Sequence, residues 1–189
     1  VYERGNAFVT GFEIGKFVPT HDCITSGQLW KNYEYFINAV MPYADRYDIK
    51  LALHPDDPPI DKLGNVERIM TSKENIKKAI RLFDSPNLGV TMCQATYHMM
   101  GENIYQIIPE MKEKIFFIHF RNASGNKFCF RETFHDNGEI DMKKVINLYK
   151  TYAPNVPIRV DHVPLMAGET GSSTGYTALG RLFAIGYLK

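Results

Sequence analysis

A chain of 189 residues, 44% hydrophobic and 23% charged, has the length and balance of an ordinary globular protein with one sizeable core. Its net charge of +1 argues against the basic footprint of a nucleic-acid binder or a polybasic membrane surface. No apolar run approaches the roughly 20 residues of a membrane span, the start lacks a signal-peptide pattern, and the three scattered cysteines, Cys23, Cys93 and Cys129, make no disulfide framework. A reducing cytoplasm is the expected location.

Residues 1–25 read as an irregular N-terminal segment, punctuated by glycines at 5, 11 and 15 and by Pro19, with one short strand around Ala7–Thr10. Residues 26–189 read as the folded unit. Apolar residues recur at helical spacing from Leu29 to Tyr47, with Ser26 as N-cap and Pro42 expected to bend the helix. Lys50–His54 is the first clear strand. A helix follows from Glu74 to Phe83, capped by Ser72 and ended by Asp84-Ser85-Pro86-Asn87. Leu88–Cys93 is the second strand and Asn103–Met111 a short helix. Ile115–Phe120 is the third strand, apolar on both faces as a parallel strand covered by helices should be. A polar loop spans 130–138, with an Asn137-Gly138 turn. Asp141–Tyr152 is helical, Ile158–Asp161 is the fourth strand, and Tyr176–Leu188 is a last helix. The expected buried side of that helix is Ala178, Leu179, Leu182, Phe183, Ile185 and Gly186. The order is βαβαβαβα after a leading helix. No Gly-rich phosphate loop follows any strand, which weakens a dinucleotide-binding reading.

The chemistry sits at the strand ends. The first strand ends on His54, the second on Cys93, the third near His119 and the fourth on Asp161. Imidazole, thiolate and carboxylate are all ligands for a divalent transition metal. Taken singly, a strand-end histidine reads as a hydrogen-bonded structural residue and a lone cysteine as packing. Four in the same position of successive βα units read as one site. Functional side chains at successive C-terminal strand ends fit a (β/α)8 barrel better than an open sheet with one switch point, although such a barrel needs about 250 residues. Asp56 and Asp57 are candidates to orient His54 or to cap the proline-rich loop. Arg121 and Arg159 lie two residues from a proposed ligand each, as anion binders or as partners of structural carboxylates. His135 is either catalytic or a solvated loop residue. Cys23, Cys129 and Met99-Met100 read as packing, and His21 and His98 carry no assignment.

The segments LALHPDDPP (51–59), GVTMCQ (89–94), IFFIHFRN (115–122), ETFHDNGEIDM (132–142), RVDHVPLMAGE (159–169) and GYTALGRLFAIGYLK (175–189) together resemble the mannonate dehydratase family of bacterial hexuronate catabolism, over about residues 26–189. The resemblance implies a xylose-isomerase-like (β/α)8 barrel of which this chain supplies strands five to eight. It implies a metal site of His54, Cys93, His119 and Asp161, holding Mn2+ with Fe2+ or Co2+ as replacements. It also implies catalytic roles for His162 and Tyr176, and dehydration of D-mannonate to 2-keto-3-deoxy-D-gluconate. Arg121, Arg159 and His135 are the candidate substrate contacts. The division of acid and base between His162 and Tyr176 stays open, with a preference for Tyr176 as a metal-assisted phenolate base. Val160 stands where many members carry proline. Family members are roughly twice as long, so the chain is expected to be part of a longer polypeptide, or else to need a partner or a dimer to close the barrel.

Three readings follow, in order of preference. The first is a metal-dependent lyase acting on a small sugar acid, with no nucleic-acid or membrane partner and a dimeric assembly. The second is a sugar or sugar-acid isomerase or epimerase of the same barrel type. The third is an inactive half that serves only assembly.

Overall fold

The computed structural model describes residues 23–169 and 175–189, and the backbone of 8–9 and 12–13. The glycines at 5, 11 and 15, Pro19 and His21 lie outside the described residues. Two short strands, β1 (Phe8–Val9) and β2 (Phe12–Glu13), pair antiparallel. Helix α1 (Ser26–Arg46) follows. Its cap is Thr25, not Ser26: the Thr25 hydroxyl accepts from Gln28 N, and Ser26 N donates instead to Glu67 Oε2 at 2.6 Å. Pro42 lies inside this helix.

Strand β3 (Leu51–Leu53) leads to a small hairpin, β4 (Lys62–Leu63) and β5 (Val66–Glu67), then to α2 (Lys73–Arg81), capped by Ser72 as the sequence predicts. β6 (Leu88–Cys93) runs straight into α3 (Gln94–Met99), a helix the sequence reading lacks, and α4 (Ile104–Glu110) is capped by Asn103. β7 (Ile115–Phe120) continues into a second hairpin, β8 (Asn122–Asn126) with β9 (Cys129–Thr133), where the sequence suggests only a loop. Asn-Ala-Ser-Gly-Asn has little strand propensity, so the pairing comes from the tertiary setting. Then come α5 (Met142–Tyr152), capped by Asp141, β10 (Ile158–Val160) and α6 (Ala178–Leu188).

Strands β3, β6, β7 and β10 form one parallel sheet in that order, so each strand pairs with its neighbour in the βα series. Helices cover one face. Ile76 and Ala79 of α2, Ile107 and Ile108 of α4 and Val145 of α5 pack on Val90, Met92, Ile118 and Phe120 in one core. A smaller cluster joins Ile37, Met41 and Ala44 of α1 to Leu88. β6 is buried on both faces, and Gly89 shows how tightly β7 approaches it. A Cβ there would stand 2.5 Å from the Phe116 ring and would also strike the Lys114 carbonyl. Gly89→Ala is therefore expected to lose about 1–3 kcal/mol through overpacking, read as a lower denaturation midpoint with the slope unchanged.

Among the described residues β3 and β10 are the open edges of this sheet. Many of the large exposed apolar side chains gather on the helices beside those edges: Tyr35, Phe36 and Tyr43 on α1 with Tyr47 at its C-cap, and Leu179, Leu182 and Ile185 on α6. The burial of α6 thus differs from the expectation. Its buried residues are Gly180 and Ala184, which meet Val160 and Val163. Gly180 allows the approach, since a Cβ would lie 2.8 Å from the Pro164 carbonyl. A helix docked by its small residues turns its larger apolar ones outward. Cys23 and Cys129, expected to pack, are exposed, and all three cysteines are free. No helix among the described residues is long and apolar enough to cross a membrane.

Candidate metal centre and active site

Parallel register puts the strand-end residues on one face of the sheet. Cys93 pairs with His119, and Arg159 pairs with His119 from the other side. Residues in register share a face, and alternate residues return to it. His119, Arg121, Arg159 and Asp161 therefore face the same way as Cys93, while Phe120 points back into the helical layer. His54 directly follows Leu53, the partner of Val90, and so falls beside Thr91, two residues before Cys93.

His54, Cys93 and His119 bring their donor atoms within 4.8 Å of one another. A thiolate and an imidazole on one ion, bonded at about 2.3 and 2.1 Å, lie at most roughly 4.4 Å apart, so the trio is at or near binding geometry. The His54 Nδ1–H donates to the Pro55 carbonyl at 2.6 Å. That fixes the tautomer and leaves the Nε2 lone pair facing His119 Nδ1, 3.0 Å away. Asp161 stands next to the trio, its Oδ2 3.4 Å from His119 Nδ1.

Electrostatics favour the anionic forms of Cys93 and Asp161, while His119 is held protonated and would give up that proton to a bound cation. Burial opposes ionisation of Cys93, but the Arg121 guanidinium and the imidazoles of His119 and His54 outweigh it and bring the thiol down to about 5. Thr96 Oγ1 and Arg121 Nε both donate to the sulfur, at 3.0 and 3.3 Å. Burial would also push the Asp161 carboxyl up, yet hydrogen bonding to His119 and the charges of His162 and Arg121 hold it well below the usual carboxylate range. Burial disfavours charge on His119, but Asp161 and Cys93 raise it to about 9. Around the single guanidinium of Arg121 stand Cys93, Asp57, Glu132 and Asp161. This excess of negative charge and soft donor atoms suits a divalent transition metal.

Arg121 is fully buried. Its NH2 group donates to Asp57 Oδ2 at 2.6 Å and to Thr96 Oγ1 at 2.9 Å, NH1 pairs with Glu132, and Nε lies 3.4 Å from Asp161 Oδ2. Gln94 Nε2 holds its carbonyl, and Tyr149 Oη donates to Gln94 Oε1. Asp57 thus serves Arg121, while Asp56 fixes its own loop by accepting from Met70 N and pairing with Arg68.

His162 and Tyr176 meet beside Asp161. Tyr176 Oη lies 2.7 Å from His162 Nε2, and His162 Nδ1 lies 3.1 Å from Glu132 Oε1. Burial lowers His162, but the Glu132 and Asp161 carboxylates together outweigh it and the net shift is upward. Burial and the Asp161 charge raise the Tyr176 phenol. The guanidinium groups of Arg159 and Arg181 lie 5.8 and 5.9 Å from the Tyr176 ring centre. Glu169 anchors the helix that follows, accepting from Thr177 Oγ1 at 2.8 Å and Leu179 N at 2.7 Å.

The structure does not bring His135 to this cluster. It is completely buried, its Nε2–H donates to the Phe120 carbonyl at 2.9 Å, and its ring lies against Phe120 behind the sheet. Burial depresses its pKa below the ordinary 6.5. Protonation then favours the unfolded chain, so its contribution to stability is present above about pH 6.5 and falls as pH drops below that value. His135→Gln is expected to flatten the loss of stability between about pH 7 and 5 relative to the native protein, measured by denaturant melts across that range. His98, unassigned from sequence, pairs with Glu139 at 3.0 Å.

Glu132 is the site residue that sequence reasoning missed. It lies in the polar stretch after the third strand, but no spacing singles it out. The β8–β9 hairpin pairs it with Ala123 and so folds it back over the end of β7.

The model of the D-mannonate dehydratase (UxuA) family matches residues 12–189. The chain belongs to that family. Mannonate dehydratase from Streptococcus equi subsp. zooepidemicus is 36% identical over 169 residues, covering 87% of this chain and 46% of its own length. The mannonate dehydratase of Oceanobacillus iheyensis is 38% identical over 180 residues, covering 93% and 51%. The crystal structure of mannonate dehydratase from Streptococcus suis serotype2 superposes with a TM-score of 0.79 at 33% identity, covering 87% of this chain and 48% of that one. The chain thus spans about half the length of the mannonate dehydratases it matches, and its four parallel βα units are a partial barrel. Membership in the mannonate dehydratase family favours the lyase reading over the isomerase reading.

Proposed function

We propose that this chain carries the metal and proton-transfer half of an enzyme that dehydrates D-mannonate to 2-keto-3-deoxy-D-gluconate in hexuronate (glucuronate) catabolism in the cytoplasm. The observation that carries the reading is the meeting, on one sheet face, of the His54–Cys93–His119 trio with Asp161 and a hydrogen-bonded His162–Tyr176 pair. His54, Cys93, His119 and Asp161 would hold the ion, Mn2+ by family resemblance. Bound there, it would draw charge from the substrate carboxylate and a neighbouring hydroxyl as the C2 proton leaves.

The reaction removes a proton from C2 and hydroxide from C3. The electron pair of the C2–H bond becomes the C2=C3 bond, the hydroxide takes a proton and leaves as water, and the enol ketonises by losing its C2 hydroxyl proton and gaining a proton at C3. Two proton-handling groups are needed. Tyr176 is held as a phenol by burial and by Asp161. His162, with its Nδ1–H on Glu132, offers Nε2 as an acceptor. These residues support Tyr176 as the donor to the leaving hydroxide and His162 as the base, the reverse of the preference from sequence. Arg121 is occupied by Asp57 and Glu132. Arg159 is exposed beside Tyr176 with no carboxylate partner among the described residues, which supports it as the receptor for the substrate carboxylate. We further propose that the open edges at β3 and β10 are closed by four more βα units of the same polypeptide, with residues 26–189 as the second half, and that the whole enzyme is a dimer.

The test is the native protein loaded with Mn2+ and given D-mannonate, with the 2-keto-3-deoxy acid followed over time. Product that disappears with a chelator supports the lyase. A metal-loaded protein that interconverts sugar acids without losing water would move the reading to an isomerase. A protein that neither binds metal nor turns over substrate would leave an assembly role.

A further inference from the structure

Glu132 stands between the metal centre and the proton-transfer pair. Its Oε1 accepts from Arg121 NH1 and from His162 Nδ1–H, while its Oε2 is buried with no partner among the described residues. The carboxylate is therefore fixed through one oxygen that both neighbours share. Arg121 is fully buried and tied to Asp57, Thr96 and Cys93. His162 has no such support from its own backbone. It lies just beyond β10, and its other ring nitrogen lies 2.7 Å from Tyr176 Oη and 3.9 Å from Asp161 Oδ1. An imidazole has two near-equivalent orientations about its terminal torsion. An acceptor at one nitrogen selects between them and decides which nitrogen carries the proton.

We propose that Glu132 is the positioning residue for His162: it holds the Nδ1–H so that Nε2 faces Tyr176 Oη, and through Arg121 it locks this pair to the Cys93 side of the metal centre. The inference rests on His162 and Tyr176 moving protons in the dehydration proposed above. Arg121 touches Cys93 Sγ and Asp161 on one side and Glu132 on the other, so the ligands and the proton relay form one continuous chain of contacts.

The native protein and its Glu132→Leu variant, both loaded with Mn2+, separate this role from a merely structural one. Glu132→Leu, which keeps the side-chain volume but removes the acceptor, is expected to lower kcat by about 10- to 100-fold, the usual cost of losing the partner that orients a functional histidine. KM for D-mannonate and bound metal should stay within about twofold, since neither the ligands nor Arg159 is touched. In a His162→Asn background, Glu132→Leu should have no further effect, because residues acting through one another are not additive. An equal fall in both backgrounds, or loss of bound metal, would overturn the proposal and make Glu132 a counter-ion to Arg121 only. A second readout needs no turnover. In metal-free protein labelled with 15N-histidine, the low-field Nδ1–H signal of His162 should be present in the native chain and lost in Glu132→Leu, and an unchanged signal would overturn the proposal. Native protein that leaves D-mannonate intact but gives this spectral change would count against the substrate reading and leave the Glu132–His162 link standing.

Discussion

His119→Ala is expected to lose bound metal and turnover together, each by more than about 100-fold, because loss of a ligand must exceed the 10- to 100-fold cost of losing a residue that only supports one. His119 is the hub of the cluster. Its Nδ1 faces His54 Nε2 at 3.0 Å and Asp161 Oδ2 at 3.4 Å, and its backbone pairs with Cys93. Alanine removes a donor and also the group that holds the carboxylate and the second imidazole toward a common point. Metal content after dialysis and the rate of 2-keto-3-deoxy acid formation are the two measurements. Cys93→Ser should move both in the same direction, since a hydroxyl offers no thiolate to a soft cation. A metal-free His119→Ala protein with native activity would rule out the quartet.

Arg121→Met carries the largest expected cost in stability. The guanidinium is fully buried among Asp57, Glu132 and Asp161, with Asp161 itself only 3% exposed. Methionine fills much of the volume and leaves those carboxylates without a cation. Breaking a buried pair from one side typically costs about 3–5 kcal/mol. At roughly 2–4 °C per kcal/mol for a chain of this size, the melting temperature should fall by about 6–20 °C. Arg121→Lys should fall between the two, because an ammonium keeps the charge but cannot reach several partners with one planar fork. A melt of Arg121→Met that overlays the native curve would show that the ion cluster contributes nothing net. Arg121 has two readings on sequence grounds, an anion receptor or a partner of structural carboxylates, and its burial explains why spacing could not separate them. Facing is legible in a strand, but how much of the site closes over a residue is not.

The four main strands were legible because each is a short apolar run bounded by turn residues, and two of them, Leu88–Cys93 and Ile115–Phe120, have the expected limits. The metal-competent trio was legible for a related reason. Parallel strands in sequential order repeat one position, the C-terminal tip, and a histidine or cysteine there stands out against Leu, Ile and Val. What was not legible depends on distant partners. α3 begins directly at the end of β6 without a polar cap, since Cys93 makes no side-chain capping bond. The β8–β9 hairpin is built from residues that favour turns. Glu132 owes its place to that hairpin, and the outward turn of Leu179, Leu182 and Ile185 follows from the docking of Gly180 against Pro164. Periodicity marks which residues of α6 are apolar, but packing decides which of them meet a neighbour within the chain.

The proposed ligands come one from the C-terminal end of each of four strands that are neighbours in the sheet, and none from within a single local segment. No excised peptide of this sequence could therefore reproduce the affinity, and an ion seated there would act as a rivet through the whole sheet. Its binding energy would be drawn from the assembled state alone, so at about 100 times its dissociation constant it would add roughly 2.7 kcal/mol against unfolding. Metal occupancy is thus a gauge of fold integrity: a lesion that loosens any strand, even one as remote from the ligands as Gly89, should register first as weakened ion retention.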